Sequence, residues 1–183
     1  NWWGEGATYR ILRVRQGLSM DQLRRIMPRM PDTKAQQMLT ALNSAMMEFE
    51  INTPQRKAAF LAQIAYETGD LRKLEESLTA AEEHEDDKEL GNTEEGDGKK
   101  FRGRGPLQLT GRTNYKAASR GVGLTLENEP ELVLKPEVGF RVAAWFWRSK
   151  KLNLLADKGE IDEITAKLNS ELKGQEERKK YYN

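Results

Sequence analysis

Apolar residues recur three and four positions apart in several separate segments of this 183-residue chain. The longest such stripe consists of Met38, Leu39, Leu42, Ala45, Met46 and Phe49. This spacing puts the side chains on one face of an α-helix, because the helix repeats every 3.6 residues. We therefore predict a mainly α-helical fold, and we interpret the methionine-rich stripe as part of its core.

Local signals predict where two of the helices begin. Ser19 and Gln22 have the spacing of a capping box, which indicates a helix start just after Ser19. Thr53 followed by Pro54 has the pattern of an N-cap and a first helical residue, and Gly69 is the expected end of that second helix.

Two more periodic segments lie in the second half of the chain. A helix is predicted to start near Pro136 and to bury one side that consists of Val138, Val142, Trp145 and Phe146. The last stripe ends in a polar residue and consists of Ile161, Ile164, Leu168 and Asn169.

Charge and length limit the class of protein. The 30 basic and 29 acidic residues nearly cancel, so no overall positive field favours binding to nucleic acid. A chain of 183 residues is the size of one domain, and we expect a monomer. No apolar run is long enough to cross a membrane, so we expect no stable membrane insertion.

The chain has no cysteine and one histidine, His84. The lack of cysteine excludes disulfides, thiolate metal sites and a cysteine nucleophile, and it favours synthesis in a reducing cytoplasm. His84 has no second histidine or cysteine with which to share a metal, and Asp86, Asp87 and Asp97 lack the order of a calcium loop. We therefore expect no metal and no cofactor. The first residues also lack the long apolar region of a signal peptide.

Glu67 is the most unusual residue of the helix predicted after Thr53. It follows Phe60 and Ile64 at helical spacing, so a carboxyl group ends an apolar stripe at the last turn of the helix. Apolar surroundings and the negative end of the helix dipole both favour the protonated acid, which is the form that a general acid requires. The alternative is that Glu67 lies at the edge of the stripe and reaches solvent or a cation such as Arg72.

The segment after this helix is polar and rich in glycine. Residues 75–100 are crowded with Glu and Asp, which is typical of a loop-rich surface, and several of these carboxylates could be a partner for Glu67. The stretch FRGRGPLQLTGRTNY at 101–115 then alternates Leu107 and Leu109 with Gln108 and Thr110 between glycines. This alternation predicts a short strand-like element that presents Gln108 and Thr110 on one side, with the two leucines behind them.

Four blocks together resemble glycoside hydrolase family 19, specifically its phage and prophage endolysin branch. They are FLAQIAYETG, LGNTEEGDGKKFRGRGPLQLTGRTNY, AAWFW and ITAKLN, and the resemblance covers about residues 19–183. It implies a lysozyme-like, bilobal, mostly helical domain with a small β element beside the active-site cleft. It also implies cleavage of β-1,4 bonds to N-acetylated amino sugars with inversion. Residues 1–18 would then be an N-terminal arm of unknown role, and 19–183 a single catalytic domain.

The resemblance implies roles for the acidic residues. Glu67 would be the general acid, and Thr110 would help to hold the attacking water. Inversion needs a second carboxylate. Glu76 matches the spacing between acid and base in the lysozyme-like phage members, whereas Glu85 aligns with a glutamate in the run before the LGN block. Glu76 is the favoured candidate.

The resemblance also implies sugar-binding residues. Gln108, Asn114 and Asn169 would bind an acetamido sugar, with Tyr115 beside them. Tyr66 stands where the family usually has a histidine, and its hydroxyl group can still donate a hydrogen bond.

The leading functional prediction is an endolysin-type muramidase that acts on peptidoglycan. It would be made in the cytoplasm of a phage-infected bacterium and would reach the cell wall after release. One alternative is a chitinase that acts on N-acetylglucosamine polymers. Another is an inactive glycan-binding module, because Asn169 is followed by Ser170 and Glu171 where the family usually has glycines.

Overall fold

Helices account for most of the residues that the computed structural model describes, which are 17–169 and 172–183. The predicted N-terminal arm, 1–18, lies almost wholly outside these residues. Ten α-helices lie in the described part of the chain: α1 (Met20–Ile26), α2 (Ala35–Glu48), α3 (Pro54–Thr68), α4 (Leu78–Ala81), α5 (Asp97–Lys100), α6 (Arg112–Val122), α7 (Pro136–Ser149), α8 (Leu152–Asp157), α9 (Ile161–Leu168) and α10 (Gln175–Tyr182). Short 3₁₀ helices span Glu82–His84 and Pro130–Leu134. Among the described helices, none is long and apolar enough to cross a membrane.

The predicted helix ends are confirmed. The Ser19 hydroxyl accepts a hydrogen bond from the Gln22 N–H, and the Gln22 side chain accepts one from the Ser19 N–H, which completes the capping box. The Thr53 hydroxyl caps α3, and Gly69 ends it in the left-handed region with φ 55°. Asp70 and Leu71 continue in that region, with φ 63° and 61°, so the chain turns sharply just after Glu67.

The larger of two apolar cores surrounds α3. The predicted methionine-rich stripe of α2 is buried in it, and Phe60 of α3 meets Trp147 of α7 edge to face, with ring centroids 5.2 Å apart. The core also includes apolar residues of α1, α8 and α9. Because α3 is buried on nearly all sides along 59–65, it is the central helix of the lobe.

A smaller core lies on the other side of α7. Its buried members are Phe101, Leu109, Tyr115, Ala118, Val122, Leu126, Val133 and Val142. Two cores that share one helix make the fold bilobal, and the prediction of a lysozyme-like, mainly helical fold is confirmed.

The predicted buried side of α7 is partly wrong. Val142 is buried, but Val138, Trp145 and Phe146 are only half-buried. The side that enters the larger core consists of Phe140, Ala143, Ala144 and Trp147. The reason is that α7 packs between two cores, so its apolar residues occupy more than one face.

The small β element consists of two isolated bridges, Glu75 with Arg104 and Arg104 with Leu109. The alternation of leucines does not form an extended strand. Arg104 and Leu109 exchange backbone hydrogen bonds of 3.1 and 2.8 Å, which close a tight turn, and Gln108 has φ 54°. Leu107 consequently reaches the cleft instead of lying behind it.

The C-terminal helix α10 packs along α3 and is held by a buried carboxylate. Asp70 is fully buried and accepts hydrogen bonds from Arg29 and from the Tyr181 hydroxyl. Burial alone would raise the pKa of Asp70, but the hydrogen bonds from Arg29 and Tyr181 outweigh it, so the pKa is lowered. Asp70 therefore joins α10 to the turn after α3 as a carboxylate.

We predict that Gly139→Ala lowers the free energy of unfolding, although alanine favours a helix interior over glycine by about 1 kcal/mol. A Cβ at Gly139 would lie 2.5 Å from the Val133 carbonyl oxygen and 3.2 Å from Cδ of Pro106. Relieving this overlap should cost about 1–3 kcal/mol, measured by urea or thermal unfolding.

Ser44→Ala, at an exposed position inside α2, is the control. It should raise the free energy of unfolding by about 0.5 kcal/mol through helix propensity alone. A Gly139→Ala protein as stable as this control would show that the Val133 carbonyl group moves without cost.

Candidate active site

A cleft between the two lobes contains five of the predicted site residues: Glu67, Gln108, Thr110, Asn114 and Asn169. They come from the last turn of α3, the tight turn, the start of α6 and the end of α9. The cleft has a volume of about 280 Å³, and half-buried Leu107, Phe146 and Leu168 give it an apolar wall. The fold thus brings together residues that lie up to about a hundred positions apart in the sequence.

Glu67 lies at the cleft with 24% of its side chain exposed. Its Oε1 is 2.6 Å from a guanidinium nitrogen of Arg178. Arg72, the cation considered from the sequence, instead donates to the Gly69 carbonyl oxygen. The carboxyl group is therefore oriented by a cation that comes from α10.

Arg178 is a fully buried cation beside the cleft. Besides Glu67, its guanidinium donates to Gln63 Oε1 and to the Lys173 carbonyl oxygen, and it lies 4.1 Å from the centre of the Tyr66 ring. Sequence analysis did not identify Arg178 as a site residue, because it lies in the highly charged segment QEERKKYY, which is typical of an exposed helix. The feature that could have indicated its burial is that Arg178 shares a helical face with Tyr181 and Tyr182.

The structure places Tyr66 behind Glu67, outside the cleft lining. Its ring packs against Arg178, and a Cβ at Gly174 would overlap the ring. This packing orients Arg178, so contact between Tyr66 and a sugar stays a prediction that the cleft lining does not favour.

Both carboxylate oxygens of Glu76 have a hydrogen-bond partner. Its Oε2 accepts a 3.0 Å hydrogen bond from the Gly103 N–H, and its Oε1 is 3.1 Å from Nε2 of His84. The Glu76 N–H also donates to the Gly103 carbonyl oxygen at 2.9 Å. Glu76 is thereby paired through main chain and side chain with Gly103, just before the tight turn.

Glu76 is not among the residues that line the cleft, but it lies at Gly103, next to two residues that do. A Cβ at Gly103 would lie 3.0 Å from Gln108 Oε1, 3.2 Å from Thr110 Oγ1 and 3.5 Å from Glu76 Cβ. These three side chains are therefore close neighbours, although Glu76 is 32 positions before Gln108 in the sequence.

Glu85 has a different environment. Its Oε1 accepts from the Gly96 N–H at 2.5 Å, and its Oε2 accepts from the Gly98 N–H at 2.7 Å. Gly96 is the N-cap of α5 and Gly98 belongs to this helix, so both oxygens hold the N-terminal end of α5.

The polar side chains of the cleft are oriented by the main chain. The Thr110 hydroxyl donates to the Gln108 carbonyl oxygen, the Asn114 amide donates to the Thr110 carbonyl oxygen, and the Gln108 amide donates to the Gly105 carbonyl oxygen. These bonds fix the three side chains without using the side-chain carbonyl oxygens of Gln108 and Asn114.

Tyr115 does not lie in the cleft, which corrects its prediction as a sugar-binding residue. It is fully buried in the smaller core, and its hydroxyl accepts from Arg104 and donates to the Arg102 carbonyl oxygen. Burial raises its pKa to about 12, despite the nearby arginines.

Within 17–169 and 172–183, no group of three or more acidic or histidine side chains is arranged to hold a metal ion.

We predict that Arg178→Ala lowers the free energy of unfolding by about 3 kcal/mol or more, because it leaves Gln63 and Glu67 without their buried partner. The control is Lys179→Ala on the same helix. Lys179 pairs only with exposed Asp162 and Glu176 in the described part of the chain, so the loss should be below about 1 kcal/mol. Equal losses in the two proteins, measured by chemical unfolding, would contradict a structural role for the buried ion pair.

Comparisons with known proteins match this architecture. The sequence profile of glycoside hydrolase family 19, described as chitinase class I, matches residues 38–161. A Haemophilus influenzae protein described as containing a glycosyl hydrolase family 19 domain is 28% identical over 69% of this chain and 76% of its own length. An acidic 27 kDa endochitinase of Solanum lycopersicum is 46% identical, but over only 31% of this chain and 23% of its own length.

Solved structures show the same fold. A bacterial family 19 chitinase superposes with a TM-score of 0.75 and 30% identity, covering 90% of both chains. Chitinase C from Streptomyces griseus superposes with a TM-score of 0.73 and 26% identity over 90% of this chain and 73% of its own. The chain therefore belongs to glycoside hydrolase family 19 and has a chitinase-like fold.

Proposed function

We propose that the protein hydrolyses β-1,4 bonds of peptidoglycan, with inversion at the reacting carbon. The observation that carries this proposal is the cleft, in which Glu67 lies with Gln108, Thr110, Asn114 and Asn169. A carboxyl group surrounded by amide and hydroxyl groups suits a polymer of N-acetylated amino sugars, because the acetamido group needs both donors and acceptors.

Glu67 is the proposed general acid, which protonates the leaving glycosidic oxygen. Arg178 binds Oε1 of Glu67 and restricts the orientation of the carboxyl group, since the guanidinium is itself held by Gln63 and Lys173. The second oxygen is then available to carry the proton that is transferred.

Glu76 is the proposed general base. It would accept a proton from the attacking water, which the Thr110 hydroxyl would help to position, and attack on the face opposite the leaving group would invert the anomeric carbon. The proximity of Glu76 to Thr110 and Gln108 supports this role. Glu85 fits it less well, because its carboxylate binds the main chain of Gly96 and Gly98 and is not among the side chains nearest to Gly103, beside Gln108 and Thr110.

The amino-acid composition favours peptidoglycan as the polymer. The chain contains no cysteine, which fits synthesis in a reducing bacterial cytoplasm before release to the wall. Chitin is the second candidate, because the similar solved structures are chitinases and the chain covers 90% of one of them.

We expect the purified protein to release new reducing ends from purified peptidoglycan faster than from colloidal chitin at equal sugar concentration. Mass spectrometry of the products would identify the sugar at each new reducing end. Glu67→Gln keeps the shape of the side chain but cannot donate the proton, so it should lower the rate by about 10²–10⁴-fold.

Three other outcomes would change this proposal. Faster release from chitin would replace peptidoglycan with chitin as the substrate. Binding to either polymer without new reducing ends would identify a glycan-binding module. Full hydrolysis by a folded Glu67→Gln protein would remove Glu67 from the mechanism.

We also predict that Glu76→Gln lowers activity, whereas Glu85→Gln lowers stability. Glu76→Gln should lower kcat by about 10²–10⁴-fold with little change in KM, because the base acts in the transition state. Added azide should partly restore its turnover, since azide attacks without losing a proton.

Glu85→Gln should instead lower stability by about 1–3 kcal/mol, because its NH₂ group would face a backbone N–H. Its kcat should stay within about threefold of wild type. A reversed result, with an inactive Glu85→Gln and a normal Glu76→Gln, would assign the base to Glu85.

A further inference from the structure

His84 is the one histidine of the chain. The sequence analysis assigned it no function, because no second histidine or cysteine is present with which it could share a metal. The structure places Nε2 of its imidazole 3.1 Å from Oε1 of Glu76. The ring is 28% exposed and the Glu76 side chain 22% exposed, so water screens this contact only in part.

The main chain around His84 is anchored to the wall of the cleft. His84 ends the 3₁₀ helix Glu82–His84, and its carbonyl oxygen accepts a 2.8 Å hydrogen bond from the Asn92 amide. Asn92 is fully buried, and its Oδ1 accepts a 2.9 Å hydrogen bond from the N–H of Arg112, the first residue of α6. The imidazole is therefore held relative to the helix that begins just after Thr110.

The neighbouring charges on the same segment have other partners. Glu82 pairs with Lys99 at 2.9 Å, and Glu85 accepts from the main chain of Gly96 and Gly98. These contacts leave the His84 ring directed at Glu76.

We propose that His84 is a positioning residue for Glu76. Its Nε2–H donates to Oε1, the Gly103 N–H donates to Oε2, and together they fix the plane of the carboxylate that faces the attacking water. A carboxylate has about four lone-pair sites, so one hydrogen bond on each oxygen leaves sites for that water. The inference rests on the proposed function, because it needs Glu76 to be the base.

The physical consequence concerns orientation. Without a donor on Oε1, the Gly103 N–H alone would hold Glu76, and the carboxylate could rotate about its last bond. Sugar binding would change little, because His84 is not among the residues that line the cleft. Loss of the donor should therefore appear in kcat and not in KM.

The matched pair of variants is His84→Met and His84→Gln. The two side chains have the same length, but only glutamine carries an N–H group that can reach the position of Nε2. We expect kcat to fall by about 10- to 100-fold in His84→Met and by less than about threefold in His84→Gln, with KM nearly unchanged in both. Circular dichroism and thermal unfolding would show that both proteins are folded. Equal kcat values in the two variants would overturn the proposal.

A measurement that does not depend on activity uses the fact that the chain has one histidine. In a ¹H–¹⁵N spectrum of the imidazole region, the His84 Nε2–H signal should be visible in the wild type, because its hydrogen bond slows exchange with water. It should disappear in Glu76→Ala. A signal that is absent in the wild type, or equally protected in Glu76→Ala, would overturn the contact. If the wild type hydrolyses neither polymer, the proposed function fails, and this spectrum still decides whether His84 holds Glu76.

Discussion

The position of the proposed acid depends on one buried cation. Arg178 has no exposed surface, and a charge removed from water is tolerated only when it is paired and hydrogen-bonded. Gln63, Glu67, the Lys173 carbonyl oxygen and the Tyr66 ring together provide that environment. Because these groups come from α3 and from the chain around α10, the two helices must pack together before Glu67 has its final orientation. The acid site is therefore a product of the tertiary fold.

The second carboxylate, Glu76, is positioned by a different set of contacts. Glu76 follows the left-handed turn after α3 and is paired with Gly103, next to the turn that Arg104 and Leu109 close. Gly103 has no Cβ, which lets Gln108 and Thr110 approach Glu76 from the other side. The larger lobe thus orients the proposed acid, Glu67, while the small β element orients the proposed base, Glu76. The relative position of the two carboxyl groups follows from how the lobes pack on α7.

The helix ends that depend on local interactions could be predicted from the sequence. The capping box at Ser19, the N-cap at Thr53 and the end of α3 at Gly69 depend on neighbouring residues, and all three are confirmed. Five of the residues that the family motifs indicated line the cleft, whereas Tyr66, Glu76, Glu85 and Tyr115 do not. Arg178 and the burial of Tyr115 could not be predicted, because they depend on partners distant in the sequence. The period-two pattern around Leu107 was misleading because the positive φ of Gln108 turns the chain where alternation predicts a strand.

The contact between Arg178 and Glu67 also restricts how the carboxyl group can turn. Oε1 of Glu67 lies 2.6 Å from the guanidinium, so rotation of the carboxyl group would break this hydrogen bond. The guanidinium cannot follow such a rotation, because Gln63, the Lys173 carbonyl oxygen and the Tyr66 ring hold it in place. The Glu67 side chain is still partly exposed at the cleft, so a sugar can reach it. The arginine therefore acts on the proposed acid through geometry, and this geometry depends on the packing of α10 against α3.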